Sequence, residues 1–294
     1  MTTTQDWIDG ARPRTLWTSI SAVAVGSGAA AAVDGFAFIP ALLALGVAVA
    51  LQVASNYGND YSDGIRGTDM DRIGPDRLVA TGRATPTAVK RAAFVSFGVA
   101  GVLGLTLVAI TGTWWLLLVG AVAIVAAWTY TGTTRPYGYA GWGEVSVFIF
   151  FGPVAVLGTM LTQTAFSGDA SITWWAVIAS TGVGLYAVAL LLVNNIRDAD
   201  TDAVTGKLTL AVKWGVPRAR RLFVASVLLP VVCAVVVAFA HPWALIATVV
   251  ALPSLLIAGG MRIGAEKVSM KVIFSAISGV GLAYGLLLGV ALAL

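Results

Sequence analysis

Apolar residues in this chain run in long blocks, broken at fairly regular intervals by short polar segments. Spanning a bilayer takes roughly 20 mostly apolar residues as a helix. Nine blocks qualify: Leu16–Val33, Phe38–Tyr57, Ala92–Ile110, Trp114–Thr131, Val145–Leu161, Trp174–Asn195, Leu222–Ala240, Trp243–Met261 and Val272–Leu294. They leave little chain between them, so residues 1–294 read as a single integral membrane domain with no soluble appendage.

Composition agrees with the pattern. Hydrophobic residues make up 58% of the chain and charged ones 11%, against about 25% charged in ordinary soluble domains. The charges are unevenly placed. Arg12 and Arg14 precede the first block; Arg66, Arg72, Arg77, Arg83, Lys90 and Arg91 lie around the connection between the second and third; Arg135 follows the fourth. Arg197, Lys207, Lys213, Arg218, Arg220 and Arg221 follow the sixth, and Arg262, Lys267 and Lys271 the eighth. With nine spans, all 18 basic residues fall on one face, which the positive-inside rule makes cytoplasmic. The expected location is the cell inner (plasma) membrane, multi-pass, with the chemistry on the cytoplasmic side. The net charge of +4 is then a topology signal, with attraction to anionic lipid or diphosphate second, and nucleic acid is not an expected partner. A lone cysteine, Cys233, offers neither a disulfide nor a thiolate metal cluster. Trp114, Trp115, Trp174, Trp175 and Trp243 sit at block ends, as interfacial anchors do.

Eight of the fourteen acids crowd into two cytoplasmic segments. One reads Asn59-Asp60-Tyr61-Ser62-Asp63-Gly64-Ile65-Arg66-Gly67-Thr68-Asp69, with Asp71 and Asp76 beyond; the other reads Asn194-Asn195-Ile196-Arg197-Asp198-Ala199-Asp200-Thr201-Asp202, followed by Gly206-Lys207. Each begins where a span ends. Asn59 and Asp63, like Asp198 and Asp202, are four apart and share a face if the helix continues one turn. Paired carboxylates repel unless a cation intervenes, and oxygen-only ligands suit magnesium, which completes its shell with water and substrate phosphate. Arg66, Arg197 and Lys207 are the nearest cations for neutralising a diphosphate. The segments also match each other: Asn59-x3-Asp63-x3-Gly67 aligns with Asp198-x3-Asp202-x3-Gly206 at an offset of 139 residues, as parallel repeats carrying two metal half-sites would. Ordinary solvated loops would not be expected to place paired acids at the membrane boundary twice.

These two segments resemble the NDxxD-type and DxxxD segments of the UbiA superfamily of intramembrane aromatic prenyltransferases. The longer strings, Asn59 to Asp69 with Asp71-Arg72-Ile73-Gly74-Pro75, and Val193 to Asp198 running on to Gly206-Lys207-Leu208-Thr209-Leu210, resemble the 1,4-dihydroxy-2-naphthoate polyprenyltransferases of menaquinone synthesis. The resemblance runs from Ala11-Arg12-Pro13 through the ninth block and is strongest in the cytoplasmic loops. It implies an all-α integral membrane protein, nine transmembrane helices around a central cavity with a cytoplasmic cap.

Two departures stand out. Gly67 occupies a position where many superfamily members have an acid, leaving Asp69 open as a ligand, and Asp76 likewise. Where a Tyr-x3-Lys element is common, this chain has Tyr130 with Thr134, then Arg135, which either replaces the lysine or only marks the loop.

The implied reaction is electrophilic aromatic substitution with Mg2+ as cofactor and with a polyprenyl diphosphate and an aromatic acceptor as substrates. The metal draws charge from the diphosphate, the allylic carbon–oxygen bond ionises, and the cation meets an electron-rich ring in a water-poor chamber. In the naphthoate branch the prenyl group replaces the ring carboxylate as CO2. Asn59, Asp63, Asp198 and Asp202 are the implied metal ligands; Lys207, Arg66, Arg197 and Arg135 the diphosphate contacts; Tyr130 a candidate catalytic residue. Asp60 either accepts a hydrogen bond behind the metal or deprotonates the acceptor. The alternatives are another acceptor (4-hydroxybenzoate, haem or a sugar phosphate) and, more distantly, a cation-coupled transporter, which would call for acids in mid-span. A substrate whose tail stays in lipid predicts a cavity opening sideways, along a seam of Gly98, Gly101 and Gly104 or of Gly279, Gly281, Gly285 and Gly289.

Overall fold

The structure is a computed structural model that describes residues 2–67, 77–264 and 269–294. Asp69, Asp71, Arg72, Asp76 and Lys267 lie outside the described residues. Thirteen α-helices follow in order: α1 Thr4–Ala11, α2 Trp17–Ala31, α3 Phe38–Arg66, α4 Pro86–Thr111, α5 Leu116–Thr129, α6 Gly143–Ile149, α7 Ala155–Phe166, α8 Trp174–Arg197, α9 Ala199–Val204, α10 Leu210–Trp214, α11 Val216–Val237, α12 Ala251–Ile263 and α13 Ser269–Leu292. No strand occurs among the described residues.

Seven helical runs are long and apolar enough to cross a membrane: α3, α4, Gly143–Phe166, α8, α11, Pro242–Ile263 and α13. The remaining two predicted spans are shorter helices, α2 with 15 residues and α5 with 14. At 1.5 Å per residue each covers only about 22 Å of a hydrocarbon core about 30 Å thick. For α2 the deficit has a cause in its surroundings. It is enclosed by α13, α7, α3 and α8, and its Ser19 and Ser21 hydroxyls donate to carbonyls of Ala48 and Gly281, 3.1 Å away in both cases.

Two composite runs are built around irregular turns. Pro153 lacks an N–H and crowds the preceding turn, and the chain absorbs it as a π-turn over Phe150–Val154 between α6 and α7. Pro242–Val250 forms a 3₁₀ helix that leads into α12.

Close helix packing sets the centre of the bundle. A Cβ on Gly28 would sit 2.0 Å from the Gly289 carbonyl oxygen, and one on Gly285 would sit 2.3 Å from Ser21 Cβ. The ninth-span glycines Gly281, Gly285 and Gly289 therefore let α13 lie against α2. The main core fills the space among α2, α8, α11 and α13, with Tyr186, Tyr284 and Phe223 fully enclosed. Trp114, Trp115, Trp174 and Trp243 are exposed at helix starts, whereas Trp175 is buried against the His241 ring, 4.3 Å between centroids.

Candidate active site

The second predicted span does not stop at Tyr57; α3 continues as helix to Arg66. That extension puts Asn59 and Asp63 on one face. Asn59 Oδ1 accepts from the Thr131 hydroxyl at 2.7 Å. Buried Asp63 accepts from the Tyr139 hydroxyl through Oδ1, and its Oδ2 is 3.5 Å from an Arg77 guanidinium nitrogen. Asp60 faces elsewhere. It is 1% exposed, and its two oxygens accept the backbone N–H groups of Leu78 and Val79 at 2.9 and 3.0 Å. That arrangement folds the α3–α4 connection back onto α3. Arg66 donates to the carbonyls of Thr131 (2.7 Å) and Thr133.

The second segment is also helical where it matters. α8 ends at Arg197, and the Asp202 N–H donates to the Asp198 carbonyl at 2.8 Å, so the two acids sit one turn apart across the α8–α9 junction. Buried Arg197 grips its neighbour Asp198 with two bonds of 2.7 and 2.8 Å. Lys207 Nζ is 3.5 Å from Asp202 Oδ1. Each segment then turns through a glycine in the left-handed region, Gly67 at φ 71° and Gly206 at φ 76°, a conformation glycine adopts without a Cβ clash. The aligned glycines of the two repeats thus have the same backbone task.

The two segments meet through the α5–α6 connection. Tyr139, in the 3₁₀ turn Tyr137–Ala140, bonds Asp63 with its hydroxyl and accepts the Leu208 N–H on its carbonyl at 2.9 Å. Its ring lies 5.1 Å from the Arg66 guanidinium and 5.4 Å from Lys207 Nζ. Tyr130, at the end of α5, lies within electrostatic reach of Glu144, Asp63 and Asp202. Glu144, buried in the first turn of α6, accepts from Asn195 Nδ2 at 2.9 Å through one oxygen, and its second oxygen has no hydrogen-bond partner. Arg135 is exposed on the connecting loop.

Sequence reasoning therefore missed Tyr139, Thr131, Glu144 and Asn195. The available signal was a Pro136-Tyr137-Gly138-Tyr139 turn beside Arg135 and an acid, Glu144, at the start of an apolar block; Asn195 was in view beside Asn194 without a partner.

Below these groups lies a cavity of about 520 Å³ bounded by α2, α3, α4, α5, α8 and the α6–α7 run. Arg12, Asn59, Tyr130 and Asn194 line its polar end, and Arg12 is the one charged residue on its described walls. Deeper walls are mostly apolar, with Ser19, Gln52, Thr159 and Thr162 among them, and from Asn59 to Ala44 they follow α3 for roughly 22 Å at the helical rise. Gly101 and Gly104 of α4 contribute to this wall. Tyr137 also lines it, donating to or accepting from Ser146 at 2.8 Å; burial raises its hydroxyl pKa above the ordinary phenol value, and the Ser146 contact acts the other way.

Helices long and apolar enough to cross a membrane, with paired acids and cations at their ends and a long, mostly apolar cavity among them, define a multi-pass membrane protein. The chain belongs to the UbiA prenyltransferase family, whose sequence profile matches residues 19–274, and it is a prenyltransferase enzyme. It is similar to a 1,4-dihydroxy-2-naphthoate octaprenyltransferase of Mycobacterium tuberculosis, 46% identical over 258 residues that cover 88% of this chain and 86% of that protein. Among solved structures, the apo UbiA homologue of Aeropyrum pernix matches with TM-score 0.69 at 20% identity, covering 93% of this chain and 96% of that one. A UbiA homologue of Archaeoglobus fulgidus bound to GPP and Mg2+ matches with TM-score 0.63 at 15% identity, covering 96% and 98%. At these identities the two structures establish the shared fold.

Proposed function

We propose that this enzyme transfers a polyprenyl group from its diphosphate to 1,4-dihydroxy-2-naphthoate, with Mg2+, releasing diphosphate and CO2 and leaving demethylmenaquinone. The observation that carries the acceptor is the 46% identity, over most of both chains, to the naphthoate enzyme. What supports the chemistry is the pair Asn59 and Asp63 and the pair Asp198 and Asp202, linked through contacts of Tyr139 and Lys207, with Asn59 at the polar end of a long cavity.

The donor set fits magnesium. It is oxygen-only, with one carboxylate in the pair Asn59 and Asp63 and two in the pair Asp198 and Asp202. That suits an ion which takes one or two carboxylates and fills its remaining positions with water and substrate phosphate. Asn59 and Asp63 would hold one ion, and Asp198 and Asp202 another. When bound, the metal withdraws charge from the diphosphate and so promotes loss of the allylic oxygen.

The chain's own residues supply the rest. Lys207, 21% exposed at its side chain and shared between Asp202 and the Tyr139 ring, is the cation best placed to turn toward the leaving diphosphate. Arg66 and Arg197 are already bonded to loop carbonyls and to Asp198, so they shape the site more than they chase the substrate. Asp60, tied to two backbone amides, positions the cap. Tyr130 and Asn194 stand at the cavity mouth where the acceptor ring would lie, and the apolar walls keep water from the allylic cation. All nine predicted spans cross in this reading as one domain, with the site facing the cytoplasm.

The test is incubation of purified protein with Mg2+, a polyprenyl diphosphate and an equimolar mixture of aromatic acids, followed by mass analysis. Prenylated product lacking the carboxyl group, formed from the naphthoate alone and abolished by chelator, is the expected result. Prenylated 4-hydroxybenzoate would move the acceptor, and an absence of any prenylated product would sink the reading.

A further inference from the structure

The α5–α6 connection contributes no acid and no basic contact to the pairs described above, yet its Tyr139 touches both halves of the site. Three contacts converge on this side chain. Its hydroxyl donates to Asp63 Oδ1, on the first acidic segment. Its ring faces two cations, Arg66 at 5.1 Å and Lys207 at 5.4 Å, which belong to different segments. Its carbonyl accepts from Leu208, the residue after Lys207. Asp63, Tyr139, Lys207 and Asp202 thereby form a continuous chain of contacts between the two acidic segments.

From this geometry we infer that Tyr139 is the positioning residue that sets the two half-sites in register for a metal-bound diphosphate. The inference rests on the function proposed above. The hydroxyl fixes one oxygen of Asp63, which decides where the carboxylate's remaining lone pairs point. The negative face of the ring holds Lys207 near the site by a cation–π contact. Together with the Asp202 carboxylate, 3.5 Å from Lys207 Nζ, the ring keeps the ammonium close to the site. Arg66 cannot play this part, since its nitrogens are bonded to the Thr131 and Thr133 carbonyls. Two cations on one aromatic ring repel each other, and an anion arriving between them relieves that repulsion. The hydroxyl therefore acts on metal binding, and the ring acts on diphosphate binding.

Two substitutions separate these contributions. Tyr139→Phe keeps the ring and removes the bond to Asp63; Tyr139→Leu removes both. The readout is binding, with Mn2+ as a paramagnetic probe followed by electron spin resonance in detergent, in the presence of a prenyl thiolodiphosphate that ionises too slowly to turn over. Because a hydrogen bond to a charged group is at stake, Tyr139→Phe should weaken Mn2+ binding about tenfold and leave the analogue's own affinity, measured without metal, unchanged. Tyr139→Leu should weaken the metal-free affinity for the analogue as well. In turnover, KM for the acceptor should stay constant in Tyr139→Phe while the Mg2+ requirement rises. Wild-type Mn2+ affinity in Tyr139→Phe would overturn the inference even if Tyr139→Leu proved too unstable to purify. A wild-type protein that binds neither Mn2+ nor the analogue would instead overturn the proposed function, and this inference with it.

Discussion

Asp60 and Asp63 lie three residues apart on α3, and the contrast between them shows what decides a carboxylate's role. Asp63 meets side chains, the Tyr139 hydroxyl and the Arg77 guanidinium. Asp60 uses both oxygens to accept backbone amides, those of Leu78 and Val79. We expect Asp63→Ala and Asp202→Ala each to lower product formation by about 10²–10³-fold, the usual cost of removing one preorganised electrostatic group, with the protein still monodisperse in detergent. Retained activity in both would remove the metal assignment. Asn59→Asp should cost less than Asn59→Ala, since an oxygen remains for the ion, and the comparison of the two rates checks it. Asp60→Asn should act mainly on folding, lowering stability by about 1–3 kcal/mol through a weakened buried bond, read as a lower melting temperature in detergent with the Mg2+ requirement unchanged. The four-residue spacing of the acid pairs was legible because helical periodicity alone brings such residues together. The division of labour between Asp60 and Asp63 was not, because the amides that occupy Asp60 come from Leu78 and Val79, far along the chain. Tyr139 stayed hidden for the same reason, as nothing in a Pro-Tyr-Gly-Tyr turn says which carboxylate it will meet.

Helices were easier to read than their ends. Hydropathy placed every long helix, because an apolar block must be covered on all sides and a helix satisfies its own backbone. It missed the continuation of α3 to Arg66, whose last turns are polar because they carry the site, and it overestimated α2 and α5. Hydropathy also could not assign the glycines. On α13, Gly281, Gly285 and Gly289 face α2, where an added methyl at Gly281 would come within 2.3 Å of the Trp17 ring and one at Gly289 within 2.5 Å of the Ala24 carbonyl oxygen, whereas a Cβ on Gly279 meets nothing within 4 Å. Those of α4 face open space: nothing lies within 4 Å of a Cβ on Gly98 or Gly101. Gly281→Ala and Gly285→Ala should therefore destabilise the bundle by about 1–3 kcal/mol, as overpacking does, whereas Gly98→Ala should leave the melting temperature in detergent almost unchanged. Equal effects at the two helices would mean that α13 and α2 are not in tight contact.

Taken as one object, an enzyme with the proposed function must bring a charged head and an apolar prenyl tail to the same place. Exposing the tail to water costs about 0.8 kcal/mol per CH₂, so a polyprenyl diphosphate of even modest length stays in the bilayer and presents only its head at the surface. The protein is arranged to match. Arg12 stands at the polar end of the cavity, and the cavity walls become mostly apolar along α3, α4 and α5. On the outer faces of α4 and α5, Val95, Val102, Leu118, Val122 and Val125 are exposed, as lipid-facing side chains would be. The head should thus dock at the acidic end while the tail runs down the cavity and out sideways between helices, without crossing an aqueous channel. Gly101 and Gly104 lie on this route, and each has room for a larger side chain: a Cβ at Gly101 meets nothing within 4 Å, and one at Gly104 only a Val47 methyl at 3.8 Å. Leucine at either position should fit without disturbing the fold and should project into the tail's path. With a set of diphosphates from two to eight isoprene units, Gly101→Leu and Gly104→Leu are expected to keep wild-type turnover and Mg2+ dependence for the shortest donors and to lose the longest ones. If the tail follows α3 from Asn59 toward Ala44, the cut-off should fall at a shorter tail for Gly101→Leu than for Gly104→Leu, because Gly104 lies deeper, at the level of Val47; if the tail turns out early between α4 and α5, Gly104→Leu should leave the cut-off unchanged. A loss equal at all lengths would place the tail elsewhere in the bundle.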